Sequence, residues 1–555
     1  MARHCSAHTK RMGNSFMTDI STVRPKDATS KRPALQRKGR ATVFEPVVLS
    51  LCEMVGREYI ESVCAARAFL SGESEAELLR LAEGKVEFYP HAFHERLVSL
   101  LPSVGSACCR PVAQSAFGAT SIAFQANSKR ALAPQSALGY LRIGEDGRLH
   151  LTSKSEHYHT PLGHGFPGYE LIERARRLGI PNATHNSTRG HITRLVEEEL
   201  VCRAGGVASG DSTSRARLLA SHDPARLNRV LNLETGSLAA EAALKMVLAR
   251  FYKPQAAAQE PKYWGRLPVV VVMGDDEGGL EANYHGTTML AQIMRGMWPE
   301  LLTALEHDGA VFVRSLRRNR VDELERLFEV YEKPPYKIAG VFHELLMMNY
   351  AAHLLSDDFV QRLYSLCKEH DVPTVVDEIQ TCVWSPEIFM FREYGVEPSI
   401  IVLGKGFPGG ECAASRILFT PALDNLPQFG ALVTNGQEEL ASLAYLVTLR
   451  WAEANAEATR TIGEYYQERL NDLAAAHPRL IASIEGRRHL AGLYFVGIEP
   501  AKVFVTRLQQ AGLDISVQAY KTGCPPCALT KLPLTIGYEA VDFIIERMDS
   551  ALKGL

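Results

Sequence analysis

The spacing of hydrophobic and polar positions changes along the chain and divides it into regions. From residue 43 to about residue 100, apolar residues such as Val47, Leu51, Met54 and Val55 recur three or four positions apart, which is the spacing of amphipathic helices. From about residue 229 onward, short apolar runs alternate with helical stretches. We therefore expect a helical N-terminal part followed by an α/β body.

The alternating region predicts a mostly parallel sheet that is covered by helices on both faces. Its strand candidates are Pro268–Met273, Ala310–Val313, Ile338–Phe342, Thr374–Asp377, Ser399–Leu403 and Ile417–Thr420. Its expected helices are 238–252, 286–306, 321–331, 357–370 and one long helix at 437–475. Ligands of such sheets lie at the carboxyl ends of the strands, so residues just after each strand are the first candidates for chemistry.

These patterns predict five segments along the chain. The third of them contains a hairpin signal at Glu145-Asp146-Gly147 and two short helices. The segments are a flexible basic tail at 1–42, a helical extension with a Ser-, Ala-, Gly- and Pro-rich linker at 43–135, a mixed segment at 136–205, a large α/β domain at 206–475 and a smaller C-terminal domain at 476–555.

Composition and charge set few limits on function. The 555 residues are 46% hydrophobic and 22% charged, as in an average globular protein, and the net charge of −2 gives no indication of a nucleic-acid partner. Residues 1–40, however, carry ten basic and two acidic side chains. This tail is a solvated leader, an organellar targeting segment or a polyanion-binding arm, and its scattered basic residues favour the first interpretation.

Neither a membrane span nor a metal site is indicated. The longest apolar run, Leu267 to Met273, is too short to cross a bilayer, so we expect no membrane partner. The eleven cysteines form no dense framework, which favours a reducing, cytoplasmic setting. Cys524 and Cys527 have redox or half-zinc-site spacing without a second pair, and the histidines within 157–164 lack regular metal-ligand spacing.

Two strand ends carry motifs suited to a phosphate and to a planar ring. Glu234-Thr235-Gly236-Ser237 precedes a strongly helical run. Backbone N–H groups and a hydroxyl at a helix start suit a phosphate, and the simpler alternative is an ordinary Ser N-cap. In the run Asn283-Tyr284-His285-Gly286-Thr287, the Tyr284 ring either stacks on a planar ligand or packs as an ordinary aromatic.

Two further strand ends carry charged side chains. Asp377 could hold a pyridinium nitrogen protonated and Gln380 could hydrogen-bond a ring hydroxyl, although acids at strand ends also bind Mg²⁺ or cap helices. Lys405 follows an apolar strand and is surrounded by glycines, without the spacing of a Walker loop. Partial desolvation would lower the pKa of its amine, and a Schiff-base nucleophile requires a neutral amine.

In this order, the motifs resemble those of the class III (ornithine/ω-amino-acid type) aminotransferases. The resemblance implies the α/β architecture called PLP fold type I, with a large domain and a smaller α+β domain, over roughly residues 140–550. It does not extend to residues 1–135. The matching runs are 234–239 for Asn-Ser-Gly-Thr-Glu-Ala, 284–288 for aromatic-His-Gly-Arg-Thr, 343–345 for Glu-Pro-Val, 377–382 for Asp-Glu-Val-Gln-Thr-Gly, 405–410 for Lys-Gly-x-Gly-Gly and 434–440 for Thr-x-Gly-Gly-Asn-Pro-Leu.

The resemblance implies pyridoxal 5′-phosphate as the cofactor and Lys405 and Asp377 as the catalytic residues. Lys405 would form the Schiff base and move the substrate proton, and Asp377 would pair with the pyridine nitrogen. The other implied cofactor contacts are Gly236 and Ser237 to the phosphate, Tyr284 stacked on the ring, Gln380 to the ring hydroxyl, and Thr434 to the phosphate from the neighbouring subunit of a homodimer.

The substrate side departs from the family pattern. Glu344 corresponds to the family's substrate-site glutamate, but the arginine that often follows His-Gly is Thr287 here. The carboxylate-binding arginine near the C-terminal Pro-Pro-Leu has no clear equivalent. Lys531 and Arg189 are the candidate substitutes, although a lysine cannot reproduce the bidentate fork of an arginine. The sequence thus predicts a retained cofactor site and a rewritten substrate site, with the 136–205 segment at its mouth.

These residues imply transfer of an amino group from an amine or amino acid to an oxo acid or aldehyde. An aminomutase, racemase or decarboxylase of the same fold would share Lys405 and Asp377, so the motifs leave these activities open as alternatives. A non-catalytic binding or regulatory protein on the same fold is a further alternative, because the carboxylate-binding arginines are missing. The expected partners are a small-molecule donor and acceptor and a second copy of the chain.

Overall fold

The structure is a computed structural model that describes residues 43–155, 159–518 and 524–555. The predicted basic tail therefore lies outside the described residues. Among the described helices, none is long and apolar enough to cross a membrane.

Strands and helices alternate through the body of the chain, as its hydrophobic pattern predicts. The strands are β1 Val48–Leu49, β2 Val86–Glu87, β3 Pro134–Leu138, β4 Leu141–Gly144, β5 Leu149–Thr152, β6 Arg229–Leu233, β7 Leu267–Gly274, β8 Phe312–Arg317, β9 Tyr336–His343, β10 Leu346–Met347, β11 His353–Leu354, β12 Thr374–Asp377, β13 Ile400–Leu403, β14 Ser415–Phe419, β15 Ile481–Arg487, β16 Leu490–Phe495, β17 Leu513–Asp514, β18 Ser516–Gln518 and β19 Cys527–Lys531. The α-helices are α1 Leu51–Val55, α2 Arg57–Ser71, α3 Glu75–Glu83, α4 His91–Leu100, α5 Ile122–Asn127, α6 Glu170–Arg177, α7 His191–Ala204, α8 Ser212–Leu219, α9 Gly236–Leu248, α10 Met289–Ile293, α11 Pro299–His307, α12 Val321–Tyr331, α13 Asp357–Glu369, α14 Met390–Glu393, α15 Glu439–Ala454, α16 Ala456–Ala476, α17 Ile498–Gln510 and α18 Tyr538–Lys553.

A seven-stranded sheet with the order β6-β14-β13-β12-β9-β7-β8 forms the centre of the body. Only β14 runs against its neighbours, and the other pairs are parallel. Strands β12 and β13 are buried along their whole length, which is why their sequences read as continuous apolar runs. The predicted α/β class with a mostly parallel sheet is confirmed. All six predicted strands are present, and their ends lie within two residues of the predicted ends, except that β8 extends four residues beyond its predicted end.

Two of the predicted helices are broken in the structure. The stretch 286–306 contains α10 and α11, which are separated at 294–298, where Gly296 and Trp298 have positive φ angles of 80° and 57°. The stretch 437–475 divides at Asn455 into α15 and α16. There the Asn455 amide donates to the Trp451 carbonyl at 3.1 Å and accepts from the Glu45 amide at 2.8 Å, so the side chain competes with the helical backbone.

The helical extension packs on the body through polar and aromatic contacts. The Tyr89 hydroxyl donates to the Thr535 carbonyl at 3.1 Å, and the Phe44 and Trp451 rings lie 5.6 Å apart. Two smaller sheets, β15-β16-β19-β18 and β17-β5-β4-β3, lie beyond the central one. The second of these pairs β5 with β17, so residues before and after the large sheet share one layer. The division into five segments itself stays a prediction.

Candidate active site

A cavity of about 480 Å³ lies at the carboxyl ends of the parallel strands. The strands of a parallel sheet all end at one edge, so short loops from different strands converge there. The residues that these loops bring to the cavity are Glu234 to Ser237 after β6, Tyr284 and Gly286 after β7, Glu344 after β9, Asp377, Ile379 and Gln380 at the end of β12, and Lys405 after β13.

The start of helix α9 forms one wall of this cavity. The helix begins at Gly236 with Thr235 as its N-cap, so its first N–H groups have no partner within the helix. The Ser237 hydroxyl accepts a hydrogen bond from the Thr287 amide at 3.1 Å. Gly286 has a φ of 109°, and a Cβ there would lie 2.6 Å from Ser237 Cα. Glycine therefore permits the close approach that shapes the wall.

Asp377 is buried at the end of β12 and is held from both sides. Its Oδ2 lies 3.0 Å from Nδ1 of His285, and its Oδ1 accepts a hydrogen bond from the Ile379 amide at 3.0 Å. The His285 ring and the Ile379 amide thus hold the two oxygens of this carboxylate in place. Sequence reasoning gave His285 no role, although it directly follows Tyr284 in the motif.

Lys405 lines the cavity from the loop after β13. Its backbone has a φ of 36°, a conformation that non-glycine residues adopt only where the surroundings enforce it. Burial lowers the pKa of the Lys405 amine below its usual value, and the nearby Asp377 and Glu344 carboxylates partly oppose this shift. The amine is therefore closer to its neutral, nucleophilic form than an exposed lysine would be.

Glu378 follows Asp377 in sequence but faces away from the cavity. Its carboxylate accepts hydrogen bonds from the Thr381 hydroxyl and, at 2.8 Å, from the Phe391 amide. Burial raises the pKa of Glu378 to about 7. The two adjacent acids thus have different environments, and only Asp377 can contact a ligand.

The two cations predicted as substrate-binding residues do not line the cavity. Lys531 is fully buried behind the cavity wall, where its Nζ donates to the Gln380 carbonyl at 2.6 Å. Arg189 is exposed, and its guanidinium lies 3.4 Å from the Glu197 carboxylate. Each cation has an oxygen partner within the protein, and neither is among the lining residues of the cavity.

The remaining predicted residues divide between the cavity and the surface. Tyr284 lines the cavity, together with His159 and Cys412, which are not among the site residues predicted above, and His157 lies outside the described residues. Thr434 is exposed and is not among the lining residues of its own chain. The guanidinium of Arg295, which sequence reasoning did not single out, lies 5.0 Å from the centre of the Tyr284 ring. It therefore favours one orientation of that ring.

With this geometry established, comparison with known proteins places the chain in a family. A profile of the class-III aminotransferases matches residues 193–552, which is more than half of the chain. The chain belongs to the class-III aminotransferase family. The matched residues include β6 to β19 and every cavity-lining residue named here except His159, and this family uses pyridoxal phosphate.

Over the aligned residues, curated relatives are about a quarter identical to this class-III chain. The acetylornithine aminotransferase of Aquifex aeolicus is 26% identical over 212 residues, which are 38% of this chain and 54% of the relative. The L-lysine-epsilon aminotransferase of Streptomyces clavuligerus is 25% identical over 48% of this chain and 59% of its own length. The chain thus matches little more than half the length of these relatives.

Solved aminotransferase structures share the fold over a larger part of the chain. The ornithine aminotransferase of Plasmodium yoelii has a TM-score of 0.59 at 16% identity and covers 77% of this chain and 95% of its own. The adenosylmethionine-8-amino-7-oxononanoate aminotransferase of Methanocaldococcus jannaschii has a TM-score of 0.60 at 19% identity over 79% of this chain and 97% of its own. At such identities the likeness supports the fold alone.

Proposed function

We propose that the protein is a pyridoxal-phosphate-dependent aminotransferase that moves an amino group from an amine or amino acid to an oxo acid or aldehyde, with Lys405 holding the cofactor as a Schiff base. One observation carries this proposal: a buried carboxylate, Asp377, and an amine of lowered pKa, Lys405, line the same cavity as the start of helix α9.

The residues present fit this cofactor. The N–H groups of Gly236 and Ser237 and the Ser237 hydroxyl suit the phosphate, and a side chain at Gly236 would collide with Ile379 at 2.4 Å. When bound, pyridoxal phosphate supplies an electron-withdrawing ring that stabilises negative charge on the substrate carbon. The cavity offers the polar groups that such a ring needs at its edges.

The side chains have distinct roles in this proposal. Asp377, oriented by His285, would hold a proton at the ring nitrogen, and Tyr284 would cover a ring face. Lys405 would bind the cofactor and then carry the proton at the reacting carbon, because a lysine of lowered pKa gives up its proton more readily than an exposed lysine does. Gln380 would contact the hydroxyl group on the cofactor ring.

The lining of the cavity favours a cationic donor. Glu234 and Glu344 both line it, and within the described residues Lys405 is its only lysine or arginine. A second ammonium group on the donor would be attracted to these acids, whereas a donor with only carboxylates would find no arginine fork among them. We therefore propose diamines and diamino acids as the first donors to test.

A homodimer with shared sites is part of the proposal. Thr434 is exposed and lies outside its own chain's cavity, and the nearby Phe429 side chain is 87% exposed, as expected of a segment that packs against another subunit. Complementation tests this arrangement. A mixture of Lys405→Ala and Thr434→Asp subunits should regain up to half of the wild-type activity per mixed dimer, because one of its two sites is intact. No recovery in proven mixed dimers would contradict shared sites.

The test of the chemistry is a half-reaction. Adding a panel of diamines and amino acids to the cofactor-loaded protein without an acceptor should convert the bound cofactor to its amine form, which is followed by its absorbance. Adding oxo acids should reverse the change. Carbon dioxide release or racemisation without this conversion would replace transamination by decarboxylase or racemase chemistry.

A further inference from the structure

Lys531 is a buried lysine immediately behind the cavity wall. It ends strand β19, and its side chain is fully buried. Its Nζ donates to the backbone carbonyl of Gln380 at 2.6 Å and lies 3.3 Å from the Gln380 Oε1. The same Nζ lies 3.7 Å from the centre of the Trp384 ring. All three of these contacts of the Lys531 amine are therefore with residues of the loop after β12.

This loop presents Gln380 to the cavity. Gln380 is itself buried and is one of the lining residues. The amide of a glutamine has one acceptor, Oε1, and one donor group, Nε2. Because an amine within hydrogen-bond distance donates to the oxygen, Oε1 is turned toward Lys531. The Nε2 group is then the part of the amide that is left for the cavity.

We propose that Lys531 is a positioning residue that fixes the orientation of the Gln380 amide. In this orientation the Nε2 group of Gln380 would donate a hydrogen bond to the hydroxyl oxygen attached to the cofactor ring. The inference rests on the proposed function, because it concerns the same cofactor site. It also gives a reason for a lysine in a place where the sequence suggested a substrate contact.

The expected consequence is a change in the acidity of the bound cofactor. A hydrogen bond donated to a deprotonated oxygen stabilises the deprotonated form. The other titratable groups that face Lys531 are Lys405, Cys382 and Glu344, and all three remain in a Lys531→Met variant. Without the Lys531 amine the Gln380 amide can turn. Its Oε1 would then face the hydroxyl oxygen on the cofactor ring and would disfavour deprotonation of the cofactor.

The experiment is a pH titration of the visible absorbance of the cofactor-loaded protein. For Lys531→Met, the midpoint of the absorbance change should move to higher pH by about one unit. The matched control is Lys337→Met, since Lys337 is also a buried strand lysine with oxygen partners, Glu332 and the His370 carbonyl, and does not line the cavity. It should lower thermal stability and leave the midpoint unchanged.

A double-variant cycle separates action through Gln380 from general disturbance. Gln380→Leu should raise the midpoint by itself, and Lys531→Met should add no further shift in that background. Equal shifts with and without Gln380 would overturn the proposal, as would an unshifted midpoint in folded Lys531→Met. If the Met variant does not fold, Lys531→Gln, which keeps a donor, replaces it and should shift less than Gln380→Leu.

Failure of this inference is distinguishable from failure of the proposed function. If the wild-type protein gives no cofactor absorbance at all, the proposed function fails. If the wild type binds the cofactor and titrates but Lys531→Met titrates identically, the proposed function stands and only the role of Lys531 is wrong.

Discussion

The proposed cofactor side and the proposed substrate side of the cavity differ in how they are built. On the cofactor side, Asp377 and Lys405 sit at or just after neighbouring strands of one sheet, and Gly236 and Ser237 begin a helix. On the substrate side, His159 comes from the segment before the sheet and Glu344 from a strand end, while the two predicted cations, Lys531 and Arg189, lie elsewhere.

This difference shows which part of the site the sheet determines. Strand ends are fixed by hydrogen-bonded register, so a residue at such an end has a defined place whatever the loops do. The substrate side depends on loops and, in the proposed dimer, on a second chain. The cofactor side can therefore match the family while the substrate side diverges, and variants on the two sides should have different signatures.

The largest effect is expected on the cofactor side, at Lys405. Lys405→Ala removes both the covalent attachment of the cofactor and the group that moves the substrate proton, so the rate of amino transfer should fall by at least about a thousandfold. The measurement is the half-reaction with an excess of the best donor. A loss below tenfold would contradict the assignment, provided that circular dichroism shows a folded variant.

Asp377 should give the next largest effect. Asp377→Asn leaves a neutral amide that cannot hold a proton at the ring nitrogen, so kcat should fall by about a hundredfold. The adjacent Glu378→Gln is the matched control, because Glu378 faces the Phe391 amide and the Thr381 hydroxyl instead of the cavity. Its kcat should change less than fivefold at pH 7; equal losses in both variants would end the distinction between the two acids.

A glycine on the cofactor side gives a more moderate test. In Gly286→Ala the new Cβ would meet Ser237 within 2.9 Å at a φ of 109°, so the dissociation constant of pyridoxal phosphate should rise by about tenfold. Gly278→Ala is the control, since Gly278 also has a positive φ, 83°, but has no atom within 4 Å of the added Cβ. Similar cofactor affinities in both variants would show that backbone strain alone is responsible.

The substrate side should respond in KM and leave the cofactor in place. Glu344→Gln removes one of the acids that would attract a second ammonium group, so KM for a diamine should rise by about threefold to fivefold. KM for a monoamine and the cofactor dissociation constant should stay within twofold. Equal changes in KM for the diamine and the monoamine would contradict a contact between Glu344 and the second ammonium group, because the effect of Glu344 on Lys405 is common to both substrates.

Glu378 should have the smallest effect on rate, but it should make the stability of the protein depend on pH. Its folded pKa of about 7 lies above its usual 4.5, so between these values the folded state holds a proton that the unfolded state has lost. Stability from this group is therefore full below pH 4.5 and declines as the pH rises to 7. Wild type and Glu378→Gln are unfolded by denaturant at pH 5, 6, 7 and 8, and the stability of the wild type minus that of the variant should decrease from pH 5 to pH 7 and then level off.

The sequence predicted the central sheet well because the sheet depends on local patterns, and it placed Asp377 and Lys405 at the strand ends where they line the cavity, while their contacts with a cofactor stay a prediction. Thr374–Asp377 reads as a buried strand and is one, and Lys405 reads as a loop lysine after a strand and lines the cavity. Strand β6 was not among the predicted strands, because Arg229 and Asn232 interrupt its apolar pattern.

The substrate side could not be predicted in the same way because it depends on contacts between distant residues. Nothing near Lys531 in sequence indicates that its amine reaches Gln380, 151 positions away. Likewise, the pairing of Arg189 with Glu197 depends on how helix α7 packs. The single-residue turn at Asn455 depends on a contact with Glu45, which helical periodicity does not report.

The most direct measurement is to map the lysine that holds the cofactor. The protein is loaded with pyridoxal phosphate, reduced with sodium borohydride, digested and analysed by peptide mass spectrometry. We predict one modified residue, Lys405, at close to one cofactor per chain, with no modification at the buried Lys531. Attachment at another lysine, or no attachment in a folded protein that has been loaded with the cofactor, would contradict the assignment of Lys405 and with it the proposed chemistry.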